Sequence, residues 1–281
     1  MAVKPEEKFV EVNGLRLHYL DWGGSSGVAA LAFHGFALNC HSWDEVAPAL
    51  SSRVRILAFD QRGHGVSDRA EKVEDYTRDN MVSDIEQIVA SLRLEPCVAI
   101  GHSMGGMNVM TFAARHPDKV RALVLVDVGP EVSVDGASAV AQFVAGPYEM
   151  DSLDAWVDHT YKYYPYRSKE RIRERLAVSL QRTSEGKLAK QFDARFREAR
   201  FGGVARGREE LWDVARGLRC PTLLVHGGAS PVLPRAMAEK FASAGKNVRL
   251  VSIPGAGHSV AGDKPKEFVR VAAEFLDEVL S

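Results

Sequence analysis

Short apolar runs alternate along the chain with longer stretches of helical period. Phe9 to Val12 and Leu15 to Tyr19 flank Asn13-Gly14, a two-residue type I′ hairpin signal, so an antiparallel pair is expected first. Further runs follow at Val28–Phe33, Val54–Phe59, Cys97–Ile100, Ala122–Val126, Thr222–Val225 and Val248–Ile253. Most are apolar on consecutive positions, as in strands buried on both faces of a parallel sheet. Helical period marks Trp43–Leu50, Arg78–Leu92, Met104–Arg115, Arg235–Ser243 and Pro265–Leu280, with Asp79-Asn80 and Asp263 as expected caps. This alternation predicts an α/β fold with a doubly wound, mostly parallel sheet and right-handed crossovers.

One stretch breaks the rhythm. From about Pro130 to Trp212 no apolar strand is evident, and Leu153–Tyr164, Lys169–Gln181 and Lys187–Ala199 read as short helices. The stretch is too long for a loop. It is expected to be a helical cap (130–212) inserted between strands six and seven of a core made by 1–129 and 213–281.

Composition narrows the function. The chain of 281 residues is 46% hydrophobic and 26% charged, which suits a soluble globular protein with a sizeable core. Its 36 basic and 37 acidic residues leave a formal charge of −1, so nucleic acid is not an expected partner. Cys40, Cys97 and Cys220 are odd in number and widely spaced, which favours a reducing, cytoplasmic setting and gives no zinc or redox motif. No apolar run is long enough to span a membrane, and the first residues carry no export signal. Charge is uneven within the cap: Tyr161 to Arg208 holds 14 Lys or Arg and 5 Asp or Glu, a net +9. Most of these charges are expected on a solvated face.

Candidate chemistry centres on Gly101-His102-Ser103-Met104-Gly105, a G-x-S-x-G pattern between an apolar strand and a helix. A reversal this tight strains the serine backbone and presents Ser103 Oγ at a helix N-terminus, where N–H groups meet developing negative charge. A serine hydroxyl needs a positioned base and a third group to fix that base's tautomer. His258, on the glycine-rich loop Pro254-Gly255-Ala256-Gly257 after the last strand, lies at the same sheet edge as Ser103. His34 and His64 sit in turns after strands and are expected to make structural hydrogen bonds, and His102 is expected to point away from the nucleophile.

Taken together, the chain resembles the α/β-hydrolase family over nearly all of its length. The resemblance rests on His34-Gly35-Phe36, Asp60-Gln61-Arg62-Gly63-His64-Gly65-Val66-Ser67, the Ser103 elbow, the cap, Pro221-Thr222-Leu223-Leu224-Val225-His226-Gly227 and Gly257-His258. It implies Ser103 as nucleophile, His258 as general base and the backbone N–H groups of Phe36 and Met104 as the oxyanion hole. Family members usually carry the acid shortly after the seventh strand, but Gly227 to Pro234 contains no carboxylate. The family's second placement, at the end of strand six, is filled by Asp127, with Asp263 and Glu131 as rivals.

In the cap, Tyr161, Tyr163, Tyr164 and Tyr166 lie close to Arg167, and Arg171, Arg173 and Arg175 alternate along one helix. Arg167, Arg173, Arg175 and Tyr164 are the candidates for substrate contact, since inward arginines would suit a carboxylate. The expectation is a serine hydrolase without metal or cofactor. Its substrate would be a small carboxylic ester, amide or lactone, cleaved through an acyl-enzyme. The alternatives are a carbon–carbon bond hydrolase of the same fold, or a small-molecule receptor that retains the triad.

Overall fold

A computed structural model of the protein describes residues 4–164, 167–197 and 208–281. Eight strands form one sheet: β1 (Glu6–Val12), β2 (Leu15–Asp21), β3 (Ala29–Phe33), β4 (Arg55–Phe59), β5 (Cys97–His102), β6 (Val120–Val126), β7 (Thr222–Gly227) and β8 (Val248–Ile253). Their order is β1-β2-β4-β3-β5-β6-β7-β8. β1 and β2 pair antiparallel from Val12↔Leu15, with Asn13 and Gly14 both at positive φ, and β2 pairs antiparallel with β4. From β4 to β8 every pairing is parallel.

Consecutive apolar residues become two cores because side chains alternate across a strand. In β4, Leu57 and Phe59 face one layer, which holds Val82, Ile85, Val109, Phe112, Trp212 and Phe241 from four helices. Ile56 and Ala58 face the other, with Trp43, Phe268, Phe275 and Leu276. Helix Arg78–Leu92 forms as expected, but its N-cap is Thr77, whose hydroxyl accepts from the Asn80 N–H. Asp263 does not cap the final helix, Pro265–Leu280, whose N-cap residue is Lys264 and which has no side-chain cap.

Between β6 and β7 the chain departs from the expected all-helical cap. Helices Val134–Ala145, Leu153–Tyr161 and Lys169–Ala177 are joined by a small antiparallel sheet in which Leu188–Lys190 lies between Glu149–Met150 and Leu180–Arg182. Residues expected in a helix from Lys187 to Ala199 thus form a strand and a 3-10 turn, Ala194–Arg197, while 198 and 199 lie outside the described residues. A turn at Gly186 (φ +82) brings Thr183 N to Lys187 O and pairs the two strands. Helix Arg208–Arg216 spans the boundary expected at 212 and buries Leu211, Trp212 and Ala215 in the first core layer. The hydrophobic face of that helix therefore belongs to the sheet.

Candidate active site

β5 ends at His102 and the chain turns directly into helix Met104–Arg115, with Ser103 at φ 51, ψ −116. Such a conformation is costly for a residue with a side chain and persists only where the surroundings enforce it. Here the helix start packs on backbone: a Cβ on Gly105 would lie 2.4 Å from the Phe33 carbonyl oxygen. The Met104 N–H belongs to the first helical turn, where amides have no intrahelical acceptor and carry the positive end of the helix dipole.

Asp127 follows β6 and is also at positive φ (48). It is fully buried and accepts hydrogen bonds from Gly227 N (2.9 Å), Ser230 Oγ (2.5 Å) and His258 Nδ1 (2.7 Å). Donation from Nδ1 leaves His258 Nε2 with a lone pair, which is the tautomer a general base requires. The neighbouring His102 ring, 4.7 Å from that of His258, is pushed well below the ordinary histidine range by burial and then by His258. Neutral His102 bonds the His258 carbonyl through Nε2 at 2.9 Å and so ties the His258 loop to the elbow. The other two carboxylates weighed as the acid are engaged elsewhere. Asp263 accepts from Gly257 N and Arg167, and Glu131 pairs with Lys240.

The turn after β3 lies against the elbow. A Cβ on Gly35 would sit 2.6 Å from His102 Nδ1 and 3.3 Å from Ser103 Cβ, so only glycine allows this approach. Phe36, next in line, is held by rings of His64, Phe192 and Phe196, with centroids 5.6, 5.9 and 5.2 Å away. His34 and His64 are structural, as expected. His34 bonds Gly35 O and Gln61 N, His64 bonds Arg62 O, and burial lowers both, His64 to about 3.

The four cap candidates separate. Arg173 is exposed and pairs with Asp154 on the neighbouring helix, which removes it from the site. Arg167 forms a buried ion pair with Asp263 and stacks 4.5 Å over the Tyr164 ring, whose hydroxyl burial pushes up. These two fasten the cap segment to the His258 loop. Arg175 alone lies beside His102, Ser259 and Gly262. Tyr166 lies outside the described residues.

Among the described residues, His18, Cys40 and Asp60 bring three metal-capable atoms together. All are buried and already bonded: Asp60 takes His18 Nδ1 at 2.9 Å, Cys40 N at 2.7 Å and Val66 N at 3.1 Å, and burial raises the Cys40 thiol far above its ordinary range. Such a cluster braces the loop after β4 and offers no thiolate. Ser230 is the residue whose part the sequence did not disclose. The signal was the strand-seven loop itself, which has a serine hydroxyl where a carboxylate is usual.

A family model described as the alpha/beta hydrolase fold matches residues 31–265. The chain is 29% identical over 272 residues to 2-(acetamidomethylene)succinate hydrolase of Mesorhizobium japonicum, covering 95% of this chain and 94% of that one. It is likewise 29% identical to esterase Rv0045c of Mycobacterium tuberculosis, covering 97% and 90%. Among solved structures, an alpha/beta hydrolase from Novosphingobium aromaticivorans superposes with a TM-score of 0.88 at 28% identity, over 99% of both chains.

Proposed function

Since this chain belongs to the α/β hydrolase fold family, we propose that it is a serine hydrolase cleaving a small carboxylic ester, amide or lactone through an acyl-enzyme. The observation that carries this reading is His258 Nδ1 held at 2.7 Å by buried Asp127, at the sheet edge where the strained Ser103 elbow lies. The similar proteins include an esterase and a hydrolase of an acetamido compound, which is consistent with ester or amide substrates.

In the proposed reaction His258 Nε2 takes the Ser103 hydroxyl proton as Oγ attacks the substrate carbonyl carbon. Asp127 keeps the ring oriented and stabilises the imidazolium that forms. The backbone N–H groups of Phe36 and Met104 receive the carbonyl oxygen as it gains negative charge, so they act on the transition state more than on the bound substrate. Collapse of the tetrahedral adduct expels the alcohol or amine, protonated by His258, and leaves an ester on Ser103. Water, deprotonated by His258, then attacks that ester and releases the acid and free serine. The segment between β6 and β7 serves as the lid over this site.

Asp127→Asn tests the assignment of the acid. It should preserve folding and lower kcat on 4-nitrophenyl butanoate by roughly 10³ to 10⁴-fold, because an amide favours the wrong imidazole tautomer. If Asp127→Asn stays within about ten-fold of wild type while Asp263→Asn abolishes turnover, the acid is not Asp127.

A further inference from the structure

His258 lies in a loop that closes on itself. The Asp263 carboxylate reaches back to the amide of Gly257, the residue before His258, and accepts its hydrogen bond through Oδ2 at 2.9 Å. The Gly262 and Asp263 amides donate to the Ser259 carbonyl at 2.9 and 2.8 Å, which winds the chain between into the single turn Val260–Asp263. His258 itself is held from two further directions, its Nδ1 by Asp127 at 2.7 Å and its carbonyl by His102 Nε2 at 2.9 Å. Asp263 thus fixes where the backbone enters His258, while Asp127 fixes the ring.

The other oxygen of Asp263 belongs to the cap. Oδ1 accepts from Arg167 Nε at 2.7 Å, and the pair is withdrawn from water, with the Asp263 and Arg167 side chains 3% and 11% exposed. Arg171 meets the same turn, donating to the Gly262 carbonyl at 3.0 Å while it pairs with Glu45. Arg175 is close enough to feel the Asp263 charge, yet among the described residues it donates no hydrogen bond to it. Arg167 stands 96 positions before Asp263, so their pair exists only while the cap is seated on the core. A carboxylate this buried is unfavourable without a bonded cation. Deprived of Arg167, Asp263 would turn or draw its loop toward water, and the Gly257 amide would lose its acceptor. A displacement of about 1 Å at a reacting group is enough to slow chemistry.

We propose that Asp263 is a positioning residue that couples the cap to the general base: through Arg167 on one side and the Gly257 amide on the other, a seated cap holds His258 in line with Ser103, and an unseated cap releases it. The inference rests on the serine-hydrolase reading for the role of His258, and it requires no contact between these residues and substrate. Proton transfer by His258 is thereby confined to the closed enzyme.

Kinetics on 4-nitrophenyl butanoate and amide hydrogen exchange followed by nuclear magnetic resonance test it together. Arg167→Met should lower kcat by about ten-fold with KM held within about two-fold, and Arg167→Lys, which keeps the charge, should recover most of the loss. In an Asp263→Ala background the same Arg167→Met change should lower kcat by less than about two-fold, because the link it acts through is already cut. An equal loss in both backgrounds, or a loss carried by KM, would make Arg167 a substrate contact and overturn the coupling. Exchange of the Gly257 amide should be faster in Arg167→Met and unaltered in Arg173→Gln, whose arginine lies elsewhere on the cap. Arg167→Gln serves the same comparisons where Arg167→Met yields no folded protein. Gly257 exchange indifferent to Arg167, or faster exchange with unchanged kcat, likewise overturns the coupling. Arg167-dependent exchange at Gly257 in a protein whose wild type hydrolyses no ester would uphold the link from cap to loop and defeat the serine-hydrolase reading instead.

Discussion

Asp127 holds three hydrogen bonds at once while fully buried at positive φ, and each has a separate origin in the chain: the amide of Gly227, the hydroxyl of Ser230 and the ring of His258. Ser230 stands in the loop after β7, and its hydroxyl donates to the Asp127 carboxylate. Removing that hydroxyl leaves a buried anion one donor short. Ser230→Ala should therefore lower kcat by about ten-fold with little change in KM, and Ser230→Thr should recover most of the loss. A Ser230→Ala enzyme indistinguishable from wild type would show that Gly227 N and His258 suffice. At this scale the sequence singled out Ser103 and His258 through their motifs, and Asp127 through the absence of a carboxylate between Gly227 and Pro234, and the fold brings Asp127 to 2.7 Å from the His258 ring. It could not disclose the part of Ser230, because a hydroxyl acquires a role only from what folding places opposite it.

At the scale of elements, strands were legible because both faces are buried, so each reads as an uninterrupted apolar run. The small sheet of the cap was not, for its strands have only two or three residues and mixed polarity. Those strands are fixed by tertiary contacts such as Trp156 Nε1 donating to Leu188 O and Lys190 N donating to Tyr148 O. Asp193, just beyond them, joins this sheet to the loop after β4. Its N–H donates to Gly63 O, and its carboxylate accepts from Arg195 and from Tyr76 Oη at 2.5 Å. Burial alone would raise Asp193, but the Arg195 and Tyr76 hydrogen bonds outweigh it and hold the carboxyl at about 2. A folded-state value below the unfolded one means stability that is present above about pH 4 and lost as pH falls toward 2. Urea melts should show wild type exceeding Asp193→Asn by about 2 kcal/mol at pH 6, with the gap narrowing below pH 4. A gap independent of pH would assign the difference to packing alone.

Over the whole molecule, the parallel order of β4 to β8 brings the loops after β3, β5, β6, β7 and β8 to one edge, where the residues of the candidate site lie. The net positive charge of Tyr161–Arg208 is met in part by pairing among the described residues: Arg171 with Glu45 and Arg167 with Asp263 bind this stretch to the core, while Lys187 with Glu149 and Arg173 with Asp154 join it to the rest of the segment between β6 and β7. Sequence composition registered that charge but not its partners, which lie up to 126 positions away. No described helix is long and apolar enough to cross a membrane. The central claim, an acyl-enzyme on Ser103, is tested most directly by intact-mass and peptide-mass measurement after treatment with a fluorophosphonate. The expected result is one adduct per chain, on Ser103, appearing in step with loss of hydrolysis of 4-nitrophenyl butanoate and absent from Ser103→Ala. Inactivation without modification of Ser103, or undiminished turnover by Ser103→Ala, would contradict it.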